Sequence, residues 1–137
     1  MSNTIFINNK INNKDNSIYD HYINDTNLKN IKENVVTDKN TENFKFLGII
    51  NAFFTNSKII NCVRNPLDNI LSIYRTNFLN QSFSFSLHDI ANLYLNYFET
   101  MEVYKNKYSD TIYNYSYEEL IKNPNKTIPE LINWLDW

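Results

Sequence analysis

Glycine occurs once in this chain of 137 residues, at Gly48, and cysteine once, at Cys62. A single cysteine excludes an internal disulfide and a zinc site built on cysteine pairs. Cys62 lies in an apolar run between Asn61 and Val63, where a packed thiol is the expected role. The histidines, His21 and His88, are far apart and have no ligand-spaced partners, so no metal centre is expected. Charge of either sign is in short supply: 13 basic side chains against 15 acidic ones give a net −2. That balance argues against a broad surface for nucleic acid or anionic membrane, while a local cationic cluster for one phosphate remains open. No apolar run reaches the length of a membrane span. The opening Met1 to Ser17 is polar and Asn-rich rather than signal-like. A soluble protein of a reducing compartment, the cytoplasm, is the expectation.

What is present is an alternation of strand and helix patterns. Residues 1–34 read as a weakly patterned leader or an incomplete N-terminal part, in which Ile18, Tyr22, Leu28 and Ile31 could line a short helix. Residues 35–137 read as one domain. Val35-Val36-Thr37 is a brief strand candidate, and Phe44, Leu47, Ile50 and Phe54 recur at helical spacing. Gly48 falls inside that helix at an intrinsic cost of about 1 kcal/mol relative to Ala. Lys58 to Val63 is nearly continuous in apolar character, as in a parallel strand covered by helices. Pro66 then opens a helix whose inward stripe is expected to be Leu67, Ile70, Leu71, Tyr74 and Phe78. A longer helix runs from Leu87, capped by Ser86, to about Lys107. Its apolar face takes in Ile90, Tyr94, Tyr97 or Phe98, Met101 and Tyr104. Thr111 to Tyr115 is the next strand. Ser116 with Glu119, and Thr127 with Glu130, have the spacing of capping boxes on either side of Pro124. Three short parallel strands with helical crossovers define an α/β layer.

The informative segment is the exit from the Lys58–Val63 strand. Ligands of parallel sheets gather beyond the carboxyl ends of strands, and Arg64 stands there with a planar, permanently charged donor. Ser72 follows eight residues later on the helix, and Arg75 one turn beyond it. On spacing alone, Arg64 serves equally well to bind an anion, to pair with Asp68 or to contact strand carbonyls. Ser72, on spacing alone, reads first as an ordinary helix-surface hydroxyl.

Resemblance is more specific than pattern. The stretch from Lys58 to Tyr74, with its Arg64, Pro66, Asp68 and Ser72 framework, resembles the three-prime phosphate-binding region of the sulfotransferase family. It is most similar to the branch often fused to tetratricopeptide repeats. The resemblance implies a partial three-layer, P-loop-like α/β fold with a short parallel sheet flanked by helices. It also implies that Arg64 and Ser72 contact the three-prime phosphate of the sulfuryl donor PAPS and of its product PAP. Val36-Thr37-Asp38-Lys39 with Asn43-Phe44 resembles the family's upstream Asp-Lys-x-Pro-x-x-Asn-Phe segment, Thr41 standing where Pro is usual. By that match Lys39 is the candidate catalytic contact to the donor sulfate, its alternative being an exposed solubilising residue. Tyr117-Glu118-Glu119-Leu120 with Pro124 resembles the Tyr-Glu-x-Leu and Pro segment, which places Tyr117 on the adenine side of the nucleotide. Tyr117 is otherwise a packed aromatic, and Glu118 a structural residue.

Two departures shape the functional expectation. No Gly- and Arg-containing phosphosulfate loop precedes Lys39, although such a loop needs Gly where backbone N–H groups approach an anion. The loop that closes over the nucleotide in relatives is likewise not found after Trp137. The catalytic base of many relatives lies beyond the first loop, and neither Glu33 nor Glu42 replaces it. The chain is therefore expected to be a fragment of a PAPS-dependent sulfotransferase acting on a hydroxyl or amine of a peptide, carbohydrate or small molecule. The alternatives are an inactive or split nucleotide-binding remnant, and a structural subunit requiring a partner chain to complete the domain.

Overall fold

The computed structural model describes residues 2–8, 21, 24, 35–54, 56–76, 78 and 81–137. The short helix expected from Ile18, Tyr22, Leu28 and Ile31 lies outside the described residues. Four strands form one sheet: β1 (Ser2–Asn8), β2 (Val35–Asn40), β3 (Lys58–Val63) and β4 (Ile112–Ser116), in the order β2-β1-β3-β4. Among the described residues, the α-helices defined from end to end are α1 (Leu47–Phe53), α2 (Pro66–Thr76), α3 (Leu87–Lys107), α4 (Tyr117–Lys122) and α5 (Pro124–Leu135). The result is an α/β fold in which the parallel pair β3–β4 is flanked by helices, as the sequence implied.

The sheet differs from expectation in one strand. β1 lies within the segment read as a leader and pairs antiparallel with both β2 and β3. β2, β3 and β4 accordingly run in one direction, but β2 joins the others only through β1. β2 also continues past Thr37 to Asn40, which brings Lys39 into the strand opposite Thr4.

Local signals set most helix boundaries. Pro66 is the first residue of α2, where its missing N–H costs nothing. Ser86 Oγ accepts from the N–H of Asp89 at 3.3 Å, and Ser116 Oγ from the N–H of Glu119 at 3.3 Å, each capping the helix that follows. Lys105 and Lys107 sit in the last turn of α3, where positive charge favours the helix dipole. Thr127 does not cap a helix. Pro124 has already opened α5, and the buried Thr127 hydroxyl donates back to the carbonyl of Asn123 at 3.1 Å. Beyond α5, Asp136 adopts the left-handed conformation that ends many helices. Lys58 Nζ meets the carbonyl of Trp134 at 2.6 Å and the Asp136 carboxylate, tying the end of α5 to the start of β3.

The core gathers Phe44, Leu47, Phe54, Ile59, Tyr97, Met101 and Ile112. Tyr97, rather than Phe98, is the inward aromatic of α3; Phe98 is half exposed. A Cβ added at Gly48 would lie 3.0 Å from the Tyr104 hydroxyl, so close packing against α3 accounts for a glycine in α1. The stripe assigned to α2 faces the other way. Leu67, Leu71, Tyr74 and Phe78 are exposed, Leu67 at 70%, while Asn69 is buried and Ile70 and Ile73 half-buried. The helix packs on α3 and the Ser82–Phe85 turn through that second face. Periodicity identified an apolar stripe, but not the side on which the neighbours lie. Among the described residues no helix is long and apolar enough to cross a membrane.

Candidate functional site

The site is built from two turns held side by side by strand register. In the parallel pair, Val63 stands opposite Ser116. The residues leaving the two strands are therefore neighbours, Arg64 beside Tyr117 and Asn65 beside Glu118. The Arg64 guanidinium carbon lies 5.0 Å from the Tyr117 ring centre, a cation–π stack. Glu118 Oε1 accepts from the backbone N–H of Asn65 at 2.7 Å. Asn65 then caps α2, its Oδ1 accepting from the N–H of Leu67 at 2.9 Å. Ser116 Oγ donates to Glu118 Oε2 at 3.2 Å while capping α4. Both turns are thus fixed by one carboxylate.

Arg64, Asp68, Leu71, Ser72, Arg75 and Thr76 line a single concavity of about 510 Å³. Arg64 and Ser72, eight residues apart, share its wall, and Arg75 adds a second guanidinium one turn beyond Ser72. Asp68 contributes one opposing carboxylate. Arg64 has no ion-pair partner among the described residues, and its Nε is buried with no hydrogen-bond acceptor. Nε is the sealed nitrogen of the guanidinium; the two terminal nitrogens are not among the buried unpartnered atoms, and these are the donors that an anion in the concavity would meet. The residues present therefore fit a phosphate group. Tyr117 stands beside this cavity through its contact with Arg64 and is 45% exposed. Lys39 is not brought to it. It lies exposed on the edge strand β2, opposite Thr4, and Thr4 also faces Ile60 in β3, four residues before Arg64.

Asn65 as cap and Glu118 as latch were not assigned these roles from sequence. The cap is legible in hindsight as Asn before Pro at a helix start, but the latch depends on the β3–β4 register. Cys62 is half-buried, and burial pushes its thiol above the ordinary value, which suits packing rather than nucleophilic work.

The latch makes a prediction. The Glu118 carboxyl is held below its ordinary 4.5, first by the Asn65 N–H and then by its own N–H, with the Ser116 hydroxyl and Arg64 adding to the effect. A depressed folded-state pKa contributes stability that is complete above the unfolded value and lost as pH falls through the folded one. Glu118→Gln should therefore lower the urea midpoint at neutral pH, and the gap from the parent should narrow below pH 4.5. A gap indifferent to acid would remove the charged latch.

An α/β protein whose strand-exit guanidinium and next-helix hydroxyl line one cavity has its candidate site where open sheets of this type commonly place ligands, beyond the carboxyl ends of the strands. The profile of the Sulfotransferase family matches residues 6–137, and the chain belongs to that family. It is 30% identical over 105 residues to an uncharacterized protein of Aquifex aeolicus (strain VF5). That match takes in 74% of this chain and 14% of the relative, so the chain spans a small part of that protein's length. No solved structure matches.

Proposed function

We propose that the chain forms the three-prime phosphate-binding part of a PAPS-dependent sulfotransferase of the branch often fused to tetratricopeptide repeats, working in the cytoplasm. The observation that carries this reading is the common cavity of Arg64 and Ser72, lined by an Arg64 guanidinium that has no ion-pair partner among the described residues. Arg64, aided by Arg75, supplies charge-assisted donors to the phosphate, and Ser72 adds a hydroxyl. Tyr117 packs against the adenine side while holding the guanidinium in place. Lys39 contacts the donor sulfate from the β2 end. In the complete enzyme the sulfuryl group passes from PAPS to an acceptor hydroxyl or amine, a base takes the acceptor's proton, and PAP departs. Arg64 and Ser72 keep the nucleotide in register for that transfer and form no covalent intermediate.

Titration calorimetry with PAP, against AMP as the analogue lacking the three-prime phosphate, tests the assignment. PAP should bind the more tightly; equal affinity for the two nucleotides sinks it. A second reading, a subunit completed by a partner chain, is favoured by the exposed Leu67, Leu71 and Tyr74 along α2. It predicts concentration-dependent assembly in sedimentation equilibrium, and a monomer at all concentrations would count against self-assembly through this face.

A further inference from the structure

Arg64 is held at both ends by the turn that leaves β4. The N–H that Glu118 engages at 2.7 Å belongs to the peptide group joining Arg64 to Asn65. That bond fixes the backbone from which the guanidinium extends. Tyr117, one residue before Glu118, holds the other end, its ring centre 5.0 Å from the guanidinium carbon. Ser72 is tied to the same turn through Asn65. The Asn65 Oδ1 accepts from the N–H groups of Leu67 at 2.9 Å and Asp68 at 3.4 Å, at the start of the helix that carries Ser72. Both groups that line the cationic cavity from β3 and α2 therefore depend on one carboxylate of β4's exit.

Other duties for that carboxylate fit less well. Among the described residues Glu118 forms no ion pair, with Arg64 or with any other cation. As a proton acceptor it is badly placed, because Oε1 is taken by the Asn65 N–H and Oε2 by the Ser116 hydroxyl at 3.2 Å. The Asn65 N–H, the largest influence on it, also holds the carboxyl below its ordinary value, which weakens it further as a base. A negative charge near an anion cavity repels the ligand, so a purely electrostatic role would oppose binding. What remains is geometry. We propose that Glu118 is a positioning residue for the three-prime phosphate, holding Arg64 and the start of α2 so that the guanidinium and the Ser72 hydroxyl meet one anion together. This step rests on the nucleotide reading above. Glu118 touches no ligand itself, and its effect on binding passes chiefly through Arg64.

Calorimetry on the full chain compares PAP with AMP, and the ratio of the two affinities isolates the three-prime phosphate. Glu118→Asp keeps the charge and suits the first turn of α4, but its shorter side chain falls short of the Asn65 N–H. It should lower the ratio by about 2- to 10-fold, the cost of leaving one long side chain for the ligand to order. In an Arg64→Ala background the same substitution should change the ratio by less than about twofold, because the group it positions is gone. A ratio unchanged by Glu118→Asp, or an equal loss with and without Arg64, overturns the proposal. Circular dichroism establishes that each variant is folded. Where Glu118→Asp does not fold, Glu118→Gln takes its place. It keeps the length but loses the charge that strengthens the bond, so positioning predicts a lower ratio. A bystander carboxylate predicts a higher one, since its repulsion of the phosphate is removed, and a ratio unchanged or raised overturns the proposal. A parent chain that binds PAP and AMP alike removes the nucleotide reading, and this step with it. A parental preference for PAP that survives intact in Glu118→Asp sinks the positioning role alone.

Discussion

Titration of PAP into the Arg64→Ala variant is expected to return an affinity weaker than the parent chain's by about 10- to 150-fold, the worth of a hydrogen-bonded contact to a charged group. The size follows from what the side chain lacks in the free protein. Arg64 has no carboxylate partner among the described residues, so little is surrendered when a phosphate arrives. Arg64→Lys keeps the charge and loses the planar fork, and should fall between the two. Ser72→Ala, at an exposed position, should cost about 2- to 10-fold, in the range of an ordinary hydrogen bond. Removing Arg64 also frees Tyr117 from its stack, so circular dichroism must show the fold retained. A folded Arg64→Ala chain with parental PAP affinity would separate this cavity from the nucleotide.

Much of the fold was legible because its signals are local. The β3 run, Pro66 at the first turn of α2, and the serine before each of α3 and α4 are all written within a few residues of where they act. The strand β1 was not, for two reasons. Thr4-Ile5-Phe6-Ile7 is short and set among asparagines, and its place is fixed by pairing with β2 and β3, which lie 26 or more residues beyond its end. The same limit explains α2. Leu67, Leu71, Tyr74 and Phe78 fall on one side of the helix by spacing alone, but Asn69, Ile70 and Ile73 face the protein because α3 and the Ser82–Phe85 turn stand there.

The site divides along the same line. The order of strand, Arg64, Pro66, helix and Ser72 could be read directly, and family resemblance supplied a ligand that order alone does not. That both side chains share one cavity, and that Glu118 fixes the turn between them, follows from a parallel register that sets Val63 against Ser116. Resemblance also named Lys39, which the structure leaves exposed on the edge strand and does not include in the lining of that cavity. A motif fixes residue order, whereas the length of β2 decides where its lysine ends.

Asn61→Ala is expected to lower the unfolding free energy by about 2–5 kcal/mol, a large part of the roughly 5–15 kcal/mol that holds a domain together. Asn61 is 1% exposed in the middle of β3, a polar side chain in an otherwise apolar run. Both ends of its carboxamide are engaged. Oδ1 accepts from the Tyr97 hydroxyl at 2.5 Å, and Nδ2 donates to Asn114 Oδ1 at 2.8 Å, so one residue joins α3 to β3 and β3 to β4. Asn114 is exposed and can turn to water when its partner is cut back, but Tyr97, 2% exposed, cannot. The loss is thus a stranded phenol plus a void beside Tyr97. Tyr97→Phe strands only the Asn61 oxygen, and should cost less, about 1–3 kcal/mol. Asn61→Asp separates shape from charge. A carboxyl there keeps the acceptor for Tyr97, but burial raises its pKa in the folded state, while the unfolded chain ionises near the usual carboxylate value. The folded state then binds more protons than the unfolded one, and stability falls as pH rises above that value. Urea unfolding of the three variants across pH should show Asn61→Asp losing ground with rising pH while the other two stay parallel to the parent. An Asn61→Ala chain as stable as the parent would mean that this buried triad is not what fastens α3 to the strands carrying Arg64 and Tyr117 at their ends.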